Sequence, residues 1–117
     1  MGRQLALVFF CLMSSGLACA ERTALPAEFW DSPRSAALIV AQPVLQHSVA
    51  ELLAHPGARL LIHHGGSDEA ISQAEELRAW LIALAVDSKR IDLNTDDGVR
   101  GLNLELVGIT VETKGNP

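Results

Sequence analysis

The side chains best suited to chemistry lie together in residues 63–69, which read His-His-Gly-Gly-Ser-Asp-Glu. His63 or His64 could ligate a metal ion together with Asp68, because imidazole nitrogens and carboxylate oxygens are zinc ligands. Neighbouring residues of a strand point to opposite faces, however, so the two histidines cannot easily hold one ion. Zinc spacings such as His-Glu-x-x-His are also absent. We assign no metal site and expect one histidine to pack under a helix and the other to face solvent.

The two glycines stand where a strand meets a helix, an order that can bind phosphate at the helix N-terminus. The two glycine motifs of nucleotide-binding proteins, Gly-x-x-x-x-Gly-Lys-Ser/Thr and Gly-x-Gly-x-x-Gly, are both absent. Asp68 and Glu69 would also repel an anion at that position. Gly65 and Gly66 are therefore interpreted as a flexible turn, with Ser67 or Asp68 as the N-cap of the helix.

The sequence shows no arrangement of residues that is typical of nucleophilic catalysis. Ser67 lies close to His64 and Asp68 in sequence, but the Gly-x-Ser-x-Gly pattern is missing, and residues this close on a turn rarely form a relay. The carboxylate pairs Glu75–Glu76 and Asp96–Asp97 are next-door neighbours, which is more typical of a solvated surface than of acid–base chemistry. We predict no catalytic residue, no cofactor and no enzymatic activity.

The first 20 residues have the pattern of a secretory signal. Arg3 supplies the positive start, Leu5 to Met13 form an apolar run, and Ala18-Cys19-Ala20 offers a small-x-small pattern before a cut after Ala20. The run is shorter than the roughly 20 apolar residues that span a bilayer. We predict a periplasmic protein without a transmembrane span. A lipoprotein anchored at Cys19 is the less favoured alternative, because Gly16 stands where that motif usually has leucine.

Cleavage after Ala20 leaves 97 of the 117 residues, which suffices for one small domain. Cys11 and Cys19 both leave with the signal, which excludes disulfides and thiolate chemistry from the mature chain. Without Arg3, 8 basic side chains stand against 14 acidic ones, a net charge of −6. This chain lacks the basic patch that phosphate backbones require, so no nucleic-acid partner is expected.

Apolar periodicity predicts an α+β domain with two layers, in which two main helices pack on one face of a small sheet. The sheet has three or four strands, and the elements predicted from the residues follow the order helix, strand, helix, strand, strand. Residues 35–42 are consistent either with the first turns of a helix or with a short buried strand. The predicted elements are a helix start at Ser32–Pro33, helices Pro43–Ala54 and Ser67–Val86, and strands Arg59–His63, Arg90–Leu93 and Leu102–Val111.

The predicted domain covers residues 35–112, preceded by an N-terminal leader at 21–34 and followed by a disordered tail at 113–117. Phe29 and Trp30 lie near the end of the leader. They either present an apolar contact to a partner or fold back onto the sheet.

Two segments follow a pattern known from a protein family: they read VLQHSVAELLAHPGARLLIHH (Val44–His64) and SQAEELRAWLIALAVDSKRIDL (Ser72–Leu93). They resemble helix–strand pairs of the OmpA-like domain, a periplasmic α/β module, and the resemblance implies that family's βαβαβ order. That family binds the diaminopimelate stem of peptidoglycan through an aspartate after the central strand and an arginine before the second helix's alanine. The resemblance implies that Asp68 corresponds to the family's aspartate, whereas Gln73 occupies the position of the family's arginine. The carboxylate clamp is therefore missing, and the resemblance implies the fold more than the ligand.

The leading functional hypothesis is a small, soluble, exported, non-enzymatic envelope protein that acts through protein contacts. Its contact surface is the edge formed by residues 63–69 together with Phe29 and Trp30. The alternative is a module that still binds peptidoglycan, through Asp68 with Arg78 or His64. A second alternative is a metal-responsive protein that uses His63 or His64 with Asp68. The sequence does not identify the protein partner.

Overall fold

The computed structural model describes residues 22–109, which form a four-stranded sheet with three α-helices packed on it. The strands are β1 (Arg22–Ala24), β2 (Arg59–His64), β3 (Ile91–Thr95) and β4 (Leu102–Val107). The helices are α1 (Ala36–Ala41), α2 (Pro43–Ala54) and α3 (Asp68–Ala83). Two 3-10 turns complete the fold, at Ala27–Asp31 and Ser88–Arg90.

The strand order in the sheet is β1-β4-β2-β3. Strand β2 pairs in parallel with β3 and antiparallel with β4, which in turn pairs antiparallel with β1. Alternate residues of β2 face the helices, so Leu60 and Ile62 are fully buried, while Arg59 points from the other face and is exposed. The predicted α+β class, with helices packed on a small sheet, is confirmed.

Within residues 35–42, Ala36–Ala41 form a helix with Ser35 and Gln42 as its caps, which decides between the two possibilities that the sequence allows. The hydroxyl of Ser35 caps α1 by accepting a hydrogen bond from the backbone N–H of Leu38 at 3.1 Å. The predicted helix start at Ser32–Pro33 is wrong. Ser32 has extended backbone angles (φ −117°, ψ 157°), and α1 begins only after Ser35, whose side chain satisfies the N–H group of the first turn.

The segment that the sequence analysis treats as a leader is part of the fold from Arg22 onwards. Strand β1 pairs with β4 over three residues, with Arg22 opposite Glu105. Leu25 and Phe29 lie in the hydrophobic core. The boundary predicted at residue 34 therefore falls inside the structured domain. The predicted signal at 1–20, its cleavage site, Cys19 and the tail at 113–117 lie outside the described residues.

The ends of the longer elements differ slightly from the predictions. Helix α2 has the predicted bounds, and β2 extends one residue further, to His64. Helix α3 ends at Ala83 rather than at Val86, because the chain turns at Ala85, whose φ of +82° lies in the left-handed region. Strand β4 ends at Val107 rather than at Val111.

Candidate functional site

A polar depression of about 520 Å³ lies at the N-terminal end of α3, and we call it the acidic hollow. It brings together Trp30 and Asp68, which the sequence analysis selected for different reasons and which lie far apart along the chain. The acidic hollow is lined by Trp30, Arg34, Asp68, Glu69, Ser72, Gln73 and Glu76.

Helix α3 supplies one wall of the acidic hollow through the regular spacing of its first turns. The hydroxyl of Ser67 accepts a bond from the N–H of Ala70 at 3.1 Å and fixes the helix start. Asp68, Ser72 and Glu76 follow at intervals of four residues and therefore share one side of the helix.

The opposite wall comes from the 3-10 turn Ala27–Asp31. Phe29 is buried in the core and holds Trp30 in an edge-to-face contact, with ring centroids 5.0 Å apart and planes at 88°. Trp30 is only half-buried and faces the acidic hollow. Burial of one aromatic ring in the core thus positions the other at the surface.

Arg34 lines the acidic hollow, and its guanidinium forms hydrogen bonds within the protein. Its Nε and Nη2 donate to the two carboxylate oxygens of Glu76 at 3.1 and 3.3 Å. Its Nη1 donates to the carbonyls of Trp30 at 3.3 Å and Ser32 at 2.7 Å. The guanidinium carbon also lies 5.0 Å from the centroid of the Trp30 ring, a cation–π distance. Four of its five N–H groups are therefore occupied by the protein itself.

The bonds from Arg34, reinforced by the indole N–H of Trp80 and only partly opposed by burial, hold the pKa of Glu76 below its ordinary value. Glu76 is thus charged and paired. Asp68 and Glu69 have no ion pair among residues 22–109, so the acidic hollow carries three carboxylates against one guanidinium. This excess negative charge favours cations over anions.

Acid is expected to remove the stabilisation that the Arg34–Glu76 pair contributes. Because folding lowers the pKa of Glu76, this contribution is present above the unfolded value of about 4.3 and is lost as the pH falls through the folded value. The difference in unfolding free energy between the native chain and Glu76→Gln should therefore be largest at neutral pH and shrink towards pH 3. Urea unfolding at several pH values measures it. A difference that stays constant with pH would contradict this role, and Glu75→Gln controls for the loss of one charge.

Three residues that the sequence analysis proposed for contacts lie outside the acidic hollow. Phe29 is 4 % exposed because it fills the core, so it offers no partner contact. His64 is also buried, and its Nδ1–H donates to the carbonyl of Gly65 at 2.8 Å. Arg78 lies beside β3, where it donates to the carbonyls of Ile91 at 3.4 Å and Ser88 at 3.3 Å. Of the proposed ligand-binding set, only Asp68 lines the hollow.

The interpretation that one histidine faces solvent is wrong, because both are buried, His63 at 2 % and His64 at 4 % exposure. They do point to opposite faces of the sheet. His63 lies on the face away from Leu60 and Ile62 but is enclosed by its neighbours. The amide N–H of Asn94 donates to its Nδ1 at 3.0 Å, so its Nε2 carries the proton and donates to Glu105 at 2.7 Å.

This bond continues into a polar network across the sheet. Arg22 approaches Glu105 at 3.6 Å and donates to Asp96 at 3.0 Å. The bond from Arg22, followed by the backbone N–H of Gly98, holds the pKa of Asp96 below its ordinary value. Both ring nitrogens of His63 are used in this network, and residues 22–109 contain no cluster of three metal-ligating side chains. No observation therefore favours the metal-responsive alternative.

Sequence reasoning missed Arg34, Glu69 and Glu76 as parts of one site. The adjacent pair Glu75–Glu76 predicts a solvated surface, and Arg34 lies in the predicted leader at 21–34. The four-residue spacing of Asp68, Ser72 and Glu76 could have indicated the polar side of the helix. The contact between Arg34 and Glu76 could not be predicted in this way, because the two residues lie 42 positions apart in the chain.

Comparison with protein-family models, curated proteins and solved structures finds no match to this chain. The resemblance to the OmpA-like domain therefore stays a prediction based on the residues quoted above. In the part of the chain that the structure describes, no helix is long and apolar enough to cross a membrane.

Proposed function

We propose that this chain is a small, exported, non-enzymatic envelope protein that binds a protein partner through the acidic hollow. The partner contributes a cationic side chain, a lysine ammonium or an arginine guanidinium. The observation that carries the proposal is that Trp30 lies in one depression with the carboxylates of Asp68 and Glu69, which form no ion pair among residues 22–109. Glu69 accepts only one long hydrogen bond, from the side-chain amide of Gln73 at 3.4 Å. Export is supported by the pattern of the first 20 residues.

The acidic hollow suits a cation in both charge and size. Asp68 and Glu69 provide acceptor-only oxygens, which bind ammonium and guanidinium groups through charge-assisted hydrogen bonds. Its volume of about 520 Å³ lies within the range of small-molecule sites, so it accommodates one long side chain. The guanidinium of Arg34 is held by Glu76 and by backbone carbonyls, so it does not neutralise Asp68 or Glu69. These two carboxylates therefore remain available to bind a cation.

Titration with a lysine-containing tripeptide, followed by amide NMR, tests this proposal. We expect shifts at the Trp30 indole, Asp68 and Ser72, and no shifts with the same peptide carrying acetyl-lysine. The double variant Asp68→Asn, Glu69→Gln should abolish binding. Glu75→Gln is the matched control, because it removes one carboxylate from the same helix outside the hollow. Equal responses to the lysine and acetyl-lysine peptides would exclude recognition of a cation.

Peptidoglycan is the second candidate ligand, and one observation favours it. Arg34 stands in the acidic hollow beside Gln73, the position where the resemblance places the family's arginine. A stem-peptide carboxylate could bind there only if Glu76 released the guanidinium. Retention of the chain on isolated sacculi, abolished by Asp68→Ala and by Arg34→Gln, would support this candidate. A chain that is not retained would leave the protein partner as the ligand.

A further inference from the structure

The outward surface of α1 and α2 carries little charge. The exposed residues between Ala36 and Ala54 include no lysine, arginine, aspartate or glutamate, and neither do the exposed residues 83–85 at the end of α3; His47 is the one exposed residue among them with a titratable side chain. Half of the exposed positions in α1 and α2 are alanines. Glu51 is the single carboxylate of these helices and is half-buried beside His55, with 4.0 Å between Oε1 and Nδ1. We call this surface the uncharged face.

A groove of about 350 Å³ crosses the uncharged face between α1, α2 and the end of α3. Among residues 22–109 the exposed large hydrophobic side chains are Val40, Leu53 and Leu84, and all three line this groove. Gln46 is the one polar residue in the lining, and its amide donates to the carbonyl of Val40 at 2.7 Å. The groove therefore favours apolar groups.

Electrostatics indicate which partner suits such a surface. Two copies of a mature chain with net charge −6 repel each other wherever their carboxylates meet. Asp68 and Glu69 line the acidic hollow, and Asp92 and Glu105 lie on the sheet face opposite the helices. The uncharged face allows two copies to approach with few opposing carboxylates, since Glu51, with 41 % of its side chain exposed, is the single carboxylate of α1 and α2. A basic partner would instead be attracted to the acidic surfaces.

The extent and shape of the uncharged face also fit a second copy. A stable interface uses roughly 20–30 residues on each side. In this surface 15 residues of the segment 36–54 and the four residues 82–85 are at least partly exposed, which comes close to the lower end of that range. Leu53 protrudes at the rim of the groove, with 63 % of its surface exposed. A two-fold contact requires a surface that is complementary to itself, and a protruding side chain beside a groove meets that requirement.

We propose that the uncharged face is the contact between two copies of this chain, with Leu53 of each copy in the groove of the other. The resulting dimer leaves the acidic hollow of each copy open at the start of α3. This contact is independent of the partner proposed for the acidic hollow, because it uses different residues.

Sedimentation velocity on the processed chain, purified after export, tests this proposal. We expect a dimer for the native sequence. Leu53→Glu should weaken dimerisation about a hundredfold or more, because it places two unpaired carboxylates in the contact. Ala50→Arg, at another position that lines the groove, provides a second variant. Thr95→Glu adds the same charge as Leu53→Glu at the exposed end of β3 and should leave the dimer intact.

Circular dichroism and thermal unfolding at a fixed chain concentration should show that each variant is folded, since these side chains are exposed. A native chain that stays monomeric up to submillimolar concentration would overturn the proposal, even if it bound an apolar dye or another protein at the groove. A dimer that Leu53→Glu and Ala50→Arg leave as tight as the native one would also overturn it. Loss of the dimer in both variants but not in Thr95→Glu supports it.

Discussion

Replacing Arg90 with methionine is expected to lower the free energy of unfolding by about 3 kcal/mol. The guanidinium of Arg90 donates to three backbone carbonyls: Leu52 at 2.8 Å, His55 at 2.7 Å and Ala58 at 3.0 Å. The first two belong to the end of α2, where a positive charge is favourable and carbonyls lack helical partners. Arg90 therefore ties the helix end to the beginning of β2, and methionine keeps the side-chain volume without the donors.

Urea unfolding at equal chain concentrations measures this change. Arg78→Met is the matched control, because Arg78 is also half-buried but makes only two long bonds, of 3.3 and 3.4 Å. Its loss should cost about 1 kcal/mol or less. Arg90→Lys keeps the charge but not the fork of donors, so we expect an intermediate loss. Equal losses for Arg90→Met and Arg78→Met would show that the three carbonyls do not depend on Arg90.

Replacing Leu60 with alanine is expected to destabilise the fold by about 3 kcal/mol. Leu60 lies in β2 on the sheet face that packs against the helices, and none of its surface is exposed. Truncation removes apolar contacts and leaves a cavity that the rigid strand closes only in part. The adjacent Leu61 lies on the opposite face and is only partly buried.

The comparison of Leu60→Ala with Leu61→Ala tests which face of the sheet carries the core. Both variants change the strand propensity equally, so the difference reports burial alone. We expect Leu61→Ala to cost about 1 kcal/mol, because its side chain buries less apolar surface. Chemical unfolding under identical conditions gives both values. A larger loss for Leu61→Ala would reverse the assignment of the two faces.

The α+β class could be predicted from the sequence because local periodicity carries it. Val44, Leu45, Val49 and Leu52 recur at helical spacing, and Pro43 and the His-Pro-Gly sequence after Ala54 mark the two ends, so α2 is found with the predicted bounds. The apolar run of β2 and the alternation of β4 identify two strands in the same way. Such signals need only neighbours along the chain.

Features that depend on distant partners could not be predicted. Strand β1 has only three residues, all exposed, and it exists because it pairs with β4 some 80 positions later. His63 is buried because Asn94 and Glu105 supply bonds to its ring from two neighbouring strands. The candidate site shows the same limit, since nothing along the chain indicates that Trp30 and Asp68 lie in one depression.

The acidic hollow and the uncharged face differ in the charge that they expose. Asp68 and Glu69 make the start of α3 attractive to a cation, and the exposed part of α1 and α2 carries little charge. A dimer formed through the uncharged face would present two acidic hollows. Partners with paired basic segments would then bind more tightly than their single counterparts, through effective concentration.

Photo-crosslinking in cells that export the chain tests the central claim, that the acidic hollow is where the partner binds. A photoreactive amino acid replaces Ser72, which is exposed and lines the hollow, and in a second strain it replaces Thr95 at the end of β3. We predict one discrete protein adduct from position 72 that disappears with Asp68→Asn, Glu69→Gln, and no such adduct from position 95. An adduct from position 72 that survives the loss of both carboxylates, or the same adduct from both positions, would contradict the claim.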